Sequence, residues 1–131
     1  MTLVDSSVWI DYFRGLQTPT CERLESLLSA EQLIIGDLIL TEVLQGCVAE
    51  RDFQRVLTRL GAMTVIRIAD EDIAIASARN HRRLRAAGAT VRKTIHCLIA
   101  TRCIVDGHAL LYSDGDFDPF VRRLGLQSAN P

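Results

Sequence analysis

Asp114, Asp116 and Asp118 crowd the stretch YSDGDFD, while Asp5 and Glu42 are single carboxylates among apolar neighbours in TLVDSSVWI and LILTEVL. Carboxylates that converge without a counter-charge repel by about 4 kcal/mol per pair at ~4 Å and an effective dielectric near ~20. A divalent cation removes that cost. Hard ions such as Mg²⁺ and Mn²⁺ take carboxylate oxygens, so Asp5, Glu42 and Asp114 brought together would form a metal site. Singly, each acid has a plainer use: Asp5 as a helix cap, Asp114 as a turn residue, Glu42 as an acid reaching water from a helix edge. The DGDFD run also matches the first, third and fifth positions of a calcium loop. Pro119 then occupies the sixth position and Gly125 the twelfth, where glycine and glutamate are required, which excludes that reading. One further side chain stands out: His96 falls in the first turn of the otherwise apolar stretch VRKTIHCLIAT.

The elements that must position these groups can be read from periodicity. Thr2 to Val4 is a short β-prone run, after which Ser6 or Ser7 can cap a helix over Val8 to Arg14. Cys21 to Ser29 reads as a second helix and Gln32 to Gly36 as a second strand. Asp37 is placed to cap a helix to about Val48 that carries Glu42 as its only internal charge. Arg51 to Leu60 is a helix, Thr64 to Ile68 a buried strand, and Asp70 to Ala87 a long helix with an alanine-rich inner face and an arginine-rich outer one. Thr94 to Val105 is the helix of His96, Ala109 to Tyr112 a strand, and Leu124 to Gln127 the last strand. Alternating strands and helices predict a mainly parallel sheet covered on both faces, with sites at the carboxyl ends of its strands. Asp5 and Asp114 lie at two such ends.

At 131 residues, with 48% hydrophobic and 24% charged side chains, the chain has the length and composition of one globular domain, residues 1–131. No run approaches the ~20 apolar residues of a membrane span. Asp5 and Asp11 stand where a secretory leader would be basic and then apolar, so a cytoplasmic location is expected. Cys21, Cys47, Cys97 and Cys103 form no Cys-x-x-Cys pair and read as free thiols in a reducing compartment. The net charge of −1 conceals an acid-free basic stretch from Arg79 to Lys93. Within it Arg79, Arg82, Arg83, Arg92 and Lys93 are candidates for a phosphate backbone; a solvated helix face is the alternative for the arginines.

LVDSSVWIDYF, LILTEVLQG, VRKTIHCLIATRCIVDGHALLYSDGDFDPF and the closing LGLQ, taken in order, resemble the PIN-domain ribonucleases, specifically the VapC-like toxins of bacterial toxin–antitoxin pairs. The resemblance covers essentially the whole chain. It implies an α/β/α sandwich around a mainly parallel sheet, a homodimer, and RNA cleavage dependent on Mg²⁺ or Mn²⁺ and restrained by a VapB-type antitoxin. Carried over by position, the family's acidic set falls on Asp5, Glu42, position 96 and Asp114, with Asp116 as an accessory acid. These residues would hold the metal and carry catalysis, a metal-activated water leaving a 5′-phosphate and a 3′-hydroxyl. The antitoxin would dock in an apolar groove near Trp9, Tyr12, Phe13, Leu40 and Leu44, unless these are ordinary core.

Position 96 departs from the family pattern, which has aspartate there. Three readings stay open. His96 is an altered metal ligand that holds Mg²⁺ less well than Mn²⁺ or a softer ion; or it marks impaired nuclease activity in a protein that still binds its antitoxin; or it is a hydrogen-bonded core residue. His81 and His108 lack that context and are expected at the surface. A phosphoaccepting receiver-like domain also places acids at strand ends, but Lys93 precedes a helix instead of ending a late strand.

Overall fold

The computed structural model describes residues 1–131. Five short strands, β1 (Thr2–Val4), β2 (Ile35–Gly36), β3 (Val65–Ile66), β4 (Ala109–Leu111) and β5 (Gln127–Ser128), pair in parallel throughout. β1, β4 and β5 form one sheet in that order, with Leu3 opposite Leu110; β2 and β3 form another. A single bridge between Thr2 and Leu33 joins the two, giving the order β3, β2, β1, β4, β5. Every residue of β1 is buried, as expected of a parallel strand covered on both faces.

The helices are α1 (Ser6–Phe13), α2 (Pro19–Ser29), α3 (Asp37–Gln45), α4 (Glu50–Leu60), α5 (Glu71–Ala86), α6 (Thr94–Asp106) and α7 (Asp118–Arg123). α1 packs on α2 and α3, α5 along α6, and α6 on β4. Local chemistry sets their ends. Thr18 Oγ1 accepts the Cys21 amide at 3.1 Å and Asp70 Oδ1 the Ile73 amide at 2.9 Å, each filling an unpaired donor of a first turn. Gly107, at φ 74°, closes α6 in the left-handed conformation that costs glycine least.

Several expectations shift. α1 begins at Ser6, and neither Ser6 nor Ser7 caps it: the residue before it is Asp5, whose carboxylate instead receives the Ser7 hydroxyl. Asp37 lies inside α3, and its Oδ1 accepts the amides of Leu38 at 2.8 Å and Ile68 at 3.0 Å, tying the start of α3 to the chain beyond β3. The third strand is shorter than its β-branched run suggests and Val65 is 45% exposed, because it is an edge strand. α5 buries Ile73, Ser77 and Leu84, spaced by four and seven residues, while Ala74 and Ala78 face outward; its alanines are not its inner face. The last strand starts three residues later than LGLQ implies and ends one residue later. A 3₁₀ turn (Gly115–Phe117) and α7 lie where no element was expected.

The core runs from Trp9 and Leu24 through Leu3, Ile35, Ile99 and Leu110 to Phe120. All four cysteines are reduced, with Cys47 half-buried and the others buried. Burial pushes the Cys103 thiol up to about 12, helped by the Asp106 charge, and raises Cys97 as well. In the native state Cys47 is therefore expected to react with iodoacetamide first, with Cys97 and Cys103 labelled only after denaturation; mass spectrometry of the labelled peptides checks the order.

Candidate metal centre

Asp5 follows β1 directly, and its backbone amide donates to Leu111 O of the neighbouring strand at 2.9 Å. That bond pins it at the carboxyl edge of the sheet. The residue is 1% exposed. Its Oδ2 accepts the Ser7 hydroxyl at 2.9 Å, while Oδ1 is buried with no partner. On α3, Glu42 is half-buried and its Oε1 is likewise buried and unpartnered. Buried carboxylate oxygens without donors are costly, and such exceptions call for a cause. A cation beside either oxygen would remove that cost.

Past β4 the chain turns through Asp114, whose Oδ1 accepts the Asp116 amide at 2.9 Å and so shapes the 3₁₀ turn. That turn brings Asp116 to the amino end of α6. There its carboxylate accepts the amides of Arg92 and Lys93, each at 3.2 Å, and meets His96 Nδ1 at 2.9 Å. α6 has no side-chain cap of its own, so Asp116 supplies from a distance the negative group that a helix amino end favours. Burial works against the Asp116 charge, but the His96 hydrogen bond and the two amides outweigh it and hold the carboxyl below the usual carboxylate range. The stability it contributes is thus complete above the ordinary carboxylate pKa and is lost as pH falls through the depressed one.

His96 is 3% exposed and packs at a tilt against Phe117, 4.7 Å between ring centroids; Phe117 in turn packs on Tyr112 at 5.4 Å. Ligand atoms of His96, Asp114 and Asp116 all lie within 4.8 Å of one another, close enough for one ion to bridge them. Asp5 and Glu42 lie outside that group, although Asp5 is bonded to the strand that leads into Asp114. Asp118, the third acid of the run, is not part of it: its Oδ1 accepts the Tyr112 hydroxyl at 3.0 Å. The donor set of carboxylate oxygens and one imidazole fits a divalent cation.

The basic candidates separate into two places. Arg92 and Lys93 line the same depression as Asp114 and Asp116, together with Thr90 and Gly115. Arg79, Arg82 and Arg83 line a different one on α5 with Ala86. Among the groove candidates Trp9 is 2% exposed and belongs to the core, whereas Tyr12, Phe13, Leu40 and Leu44 are half-buried. Sequence reasoning missed Arg59, whose guanidinium sits over the Tyr12 and Phe13 rings at 5.6 and 5.8 Å. No local spacing announces that pairing, because α1 and α4 meet only in the fold.

Comparison with known proteins places this geometry. The family model described as PIN domain matches residues 2–121. VapC ribonuclease Mb1587 of Mycobacterium bovis and ribonuclease VapC11 of Mycobacterium tuberculosis are each 30% identical over 132 aligned residues, covering 99% of this chain and 98% of theirs. Among solved structures, a toxin–antitoxin complex from Klebsiella pneumoniae superposes with a TM-score of 0.71 at 21% identity, covering 98% of both chains. VapBC2 from Rickettsia felis, bound to a DNA fragment from its promoter, gives 0.73 at 16% identity, covering 97% of this chain and 96% of that one. These structures share the fold, and the sequence relatives narrow it: the chain belongs to the PIN-domain family, among the VapC ribonucleases.

Proposed function

We propose that this chain is the toxin of a VapBC-type pair, an endoribonuclease that hydrolyses RNA phosphodiesters with a divalent ion, Mg²⁺ or Mn²⁺. The observation that carries the reading is the gathering of His96, Asp114 and Asp116 beside strand ends where a buried Asp5 oxygen has no partner. When bound, the ion lowers the pKa of a water and stabilises charge on the scissile phosphate. Asp5, Glu42, His96 and Asp114 are the residues that would hold it, with Asp116 as the accessory acid beside them. Ser7 orients Asp5 through its hydroxyl, a bond that leaves Oδ1 free. Arg92 and Lys93 border the acids and would bind the phosphate backbone; Arg79, Arg82 and Arg83 would extend that contact along α5. RNA specificity would come from unpaired bases and shape.

A VapB-type antitoxin is the proposed protein partner, with Tyr12, Phe13, Leu40 and Leu44 offering apolar surface to an amphipathic helix. The likeness to solved VapBC complexes supports this, and the family resemblance is the ground for proposing a homodimer. No helix is long and apolar enough to cross a membrane. The four free cysteines, which suit a reducing compartment, support a cytoplasmic site of action.

One observation favours the second reading, impaired nuclease activity with antitoxin binding intact. The His96 ring is engaged by Asp116 in a buried pair, which a structural histidine would also make. A 5′-labelled RNA cleavage assay with Mg²⁺ and with Mn²⁺ decides between them. Cleavage by the chain itself, stopped by EDTA, is the expected result. Cleavage only by His96→Asp would instead establish the impaired reading.

A further inference from the structure

We infer that His96 ligates the ion through Nε2 while Asp116 holds the ring as a positioning residue, and that the centre therefore selects a first-row transition ion, Mn²⁺ or a later one, over Mg²⁺. This rests on the metal-nuclease reading and assigns its ligands. Asp116 has its carboxylate turned into protein donors: Arg92 N, Lys93 N and His96 Nδ1 all reach it at 2.9 to 3.2 Å. A carboxylate accepts, so Nδ1 carries the hydrogen of that bond and Nε2 is left as the coordinating atom of the ring. The ring is confined, being 3% exposed and packed against Phe117 at a 43° tilt with centroids 4.7 Å apart. Carboxylate, imidazole and metal in line is a recurrent arrangement in which the carboxylate fixes the tautomer and strengthens the ligand.

Asp114 offers oxygen in the same cluster, where ligand atoms of His96, Asp114 and Asp116 lie within 4.8 Å of one another; Asp5, outside that cluster, has a buried, unpartnered Oδ1. What distinguishes this centre is the exchange of a charged oxygen for a neutral nitrogen. Mg²⁺ prefers oxygen octahedra, whereas first-row transition ions accept imidazole and rise in affinity from Mn²⁺ onward. The exchange therefore weakens Mg²⁺ more than it weakens Mn²⁺.

Titration of the full chain with Mn²⁺, read from the free-ion EPR signal with Mg²⁺ as competitor, tests the selection. Pulsed EPR of the bound ion tests the ligand. Mn²⁺ is expected to bind about tenfold or more tighter than Mg²⁺, with a ¹⁴N coupling to the ion. His96→Asp removes the coupling and narrows the Mn²⁺ to Mg²⁺ ratio. Asp116→Asn lowers Mn²⁺ affinity about 10- to 100-fold with the coupling retained, which a residue needed only for folding would not do. Bound Mn²⁺ without ¹⁴N coupling in the unaltered chain overturns the assignment, as does a ratio unchanged in His96→Asp or the absence of binding. The unaltered-chain spectrum needs no variant to fold. Nitrogen-coupled Mn²⁺ with no RNA cleavage would sink the nuclease reading and leave the ligand assignment standing; Mg²⁺-supported cleavage with no coupling would do the reverse.

Discussion

Asp5→Asn is expected to lower RNA cleavage by more than about 100-fold and at the same time to raise the melting temperature of the metal-free protein by a few degrees. The loss of activity follows from the proposed role: groups that merely orient a metal ligand are worth about 10- to 100-fold, so a direct ligand, as Asp5 is proposed to be, is worth more. The gain in stability follows from burial. Asp5 is 1% exposed and one of its oxygens has no partner, so without an ion the fold carries an uncompensated charge. Asparagine removes that charge and still accepts the Ser7 hydroxyl, which Asp5 now takes at 2.9 Å. A gain near ~1 kcal/mol corresponds to about 2–8 °C in a domain of this size. Differential scanning calorimetry of the two proteins in EDTA, alongside the cleavage assay, measures both halves. A lower melting temperature in Asp5→Asn would mean that the carboxylate is structural.

Phe117→Ala is expected to cost about 3–5 kcal/mol, a large part of the stability of any small domain. The ring is fully buried and is the shared neighbour of His96 and Tyr112. Its removal leaves a cavity under the imidazole, so cleavage should fall even where the variant remains folded. Phe117→Leu keeps most of the volume and should lose less than half as much stability. Urea denaturation of both variants gives the difference. Equal losses would show that ring shape, and not filled volume, is what the position requires.

What the sequence disclosed about the site was its strand-end chemistry. A carboxylate within a few residues after a β-prone run, as in LVD and LLYSD, sits at the carboxyl edge of a parallel sheet wherever the topology lands, and Asp5 and Asp114 are found there. Glu42 was legible as the one internal charge of an apolar helix. The bond between Asp116 and His96 was not, since it joins residues twenty apart in sequence through a turn, Gly115–Phe117, too short to show a period. The same turn conceals α7, although Asp118-Pro119 is a recognisable helix start and proline does occupy its first positions. Trp9 illustrates the converse error: beside Tyr12 and Phe13 it looks like one aromatic face, yet Trp9 is turned inward and Tyr12 only half covered. Helical spacing gives the angle between side chains and not the depth of the surface they meet.

The lone bridge between Thr2 and Leu33 has a bearing on the chemistry. Glu42 rides on α3, which follows β2, whereas Asp5, His96 and Asp114 are anchored around β1 and β4. The acids thus straddle a seam stitched by few backbone bonds, chiefly Thr2 N to Gln32 O and Ile34 N to Thr2 O. An ion held by residues from both banks would act as a rivet across it, so that the sheet's weakest joint and the charge that cuts RNA would be fastened by the same atom.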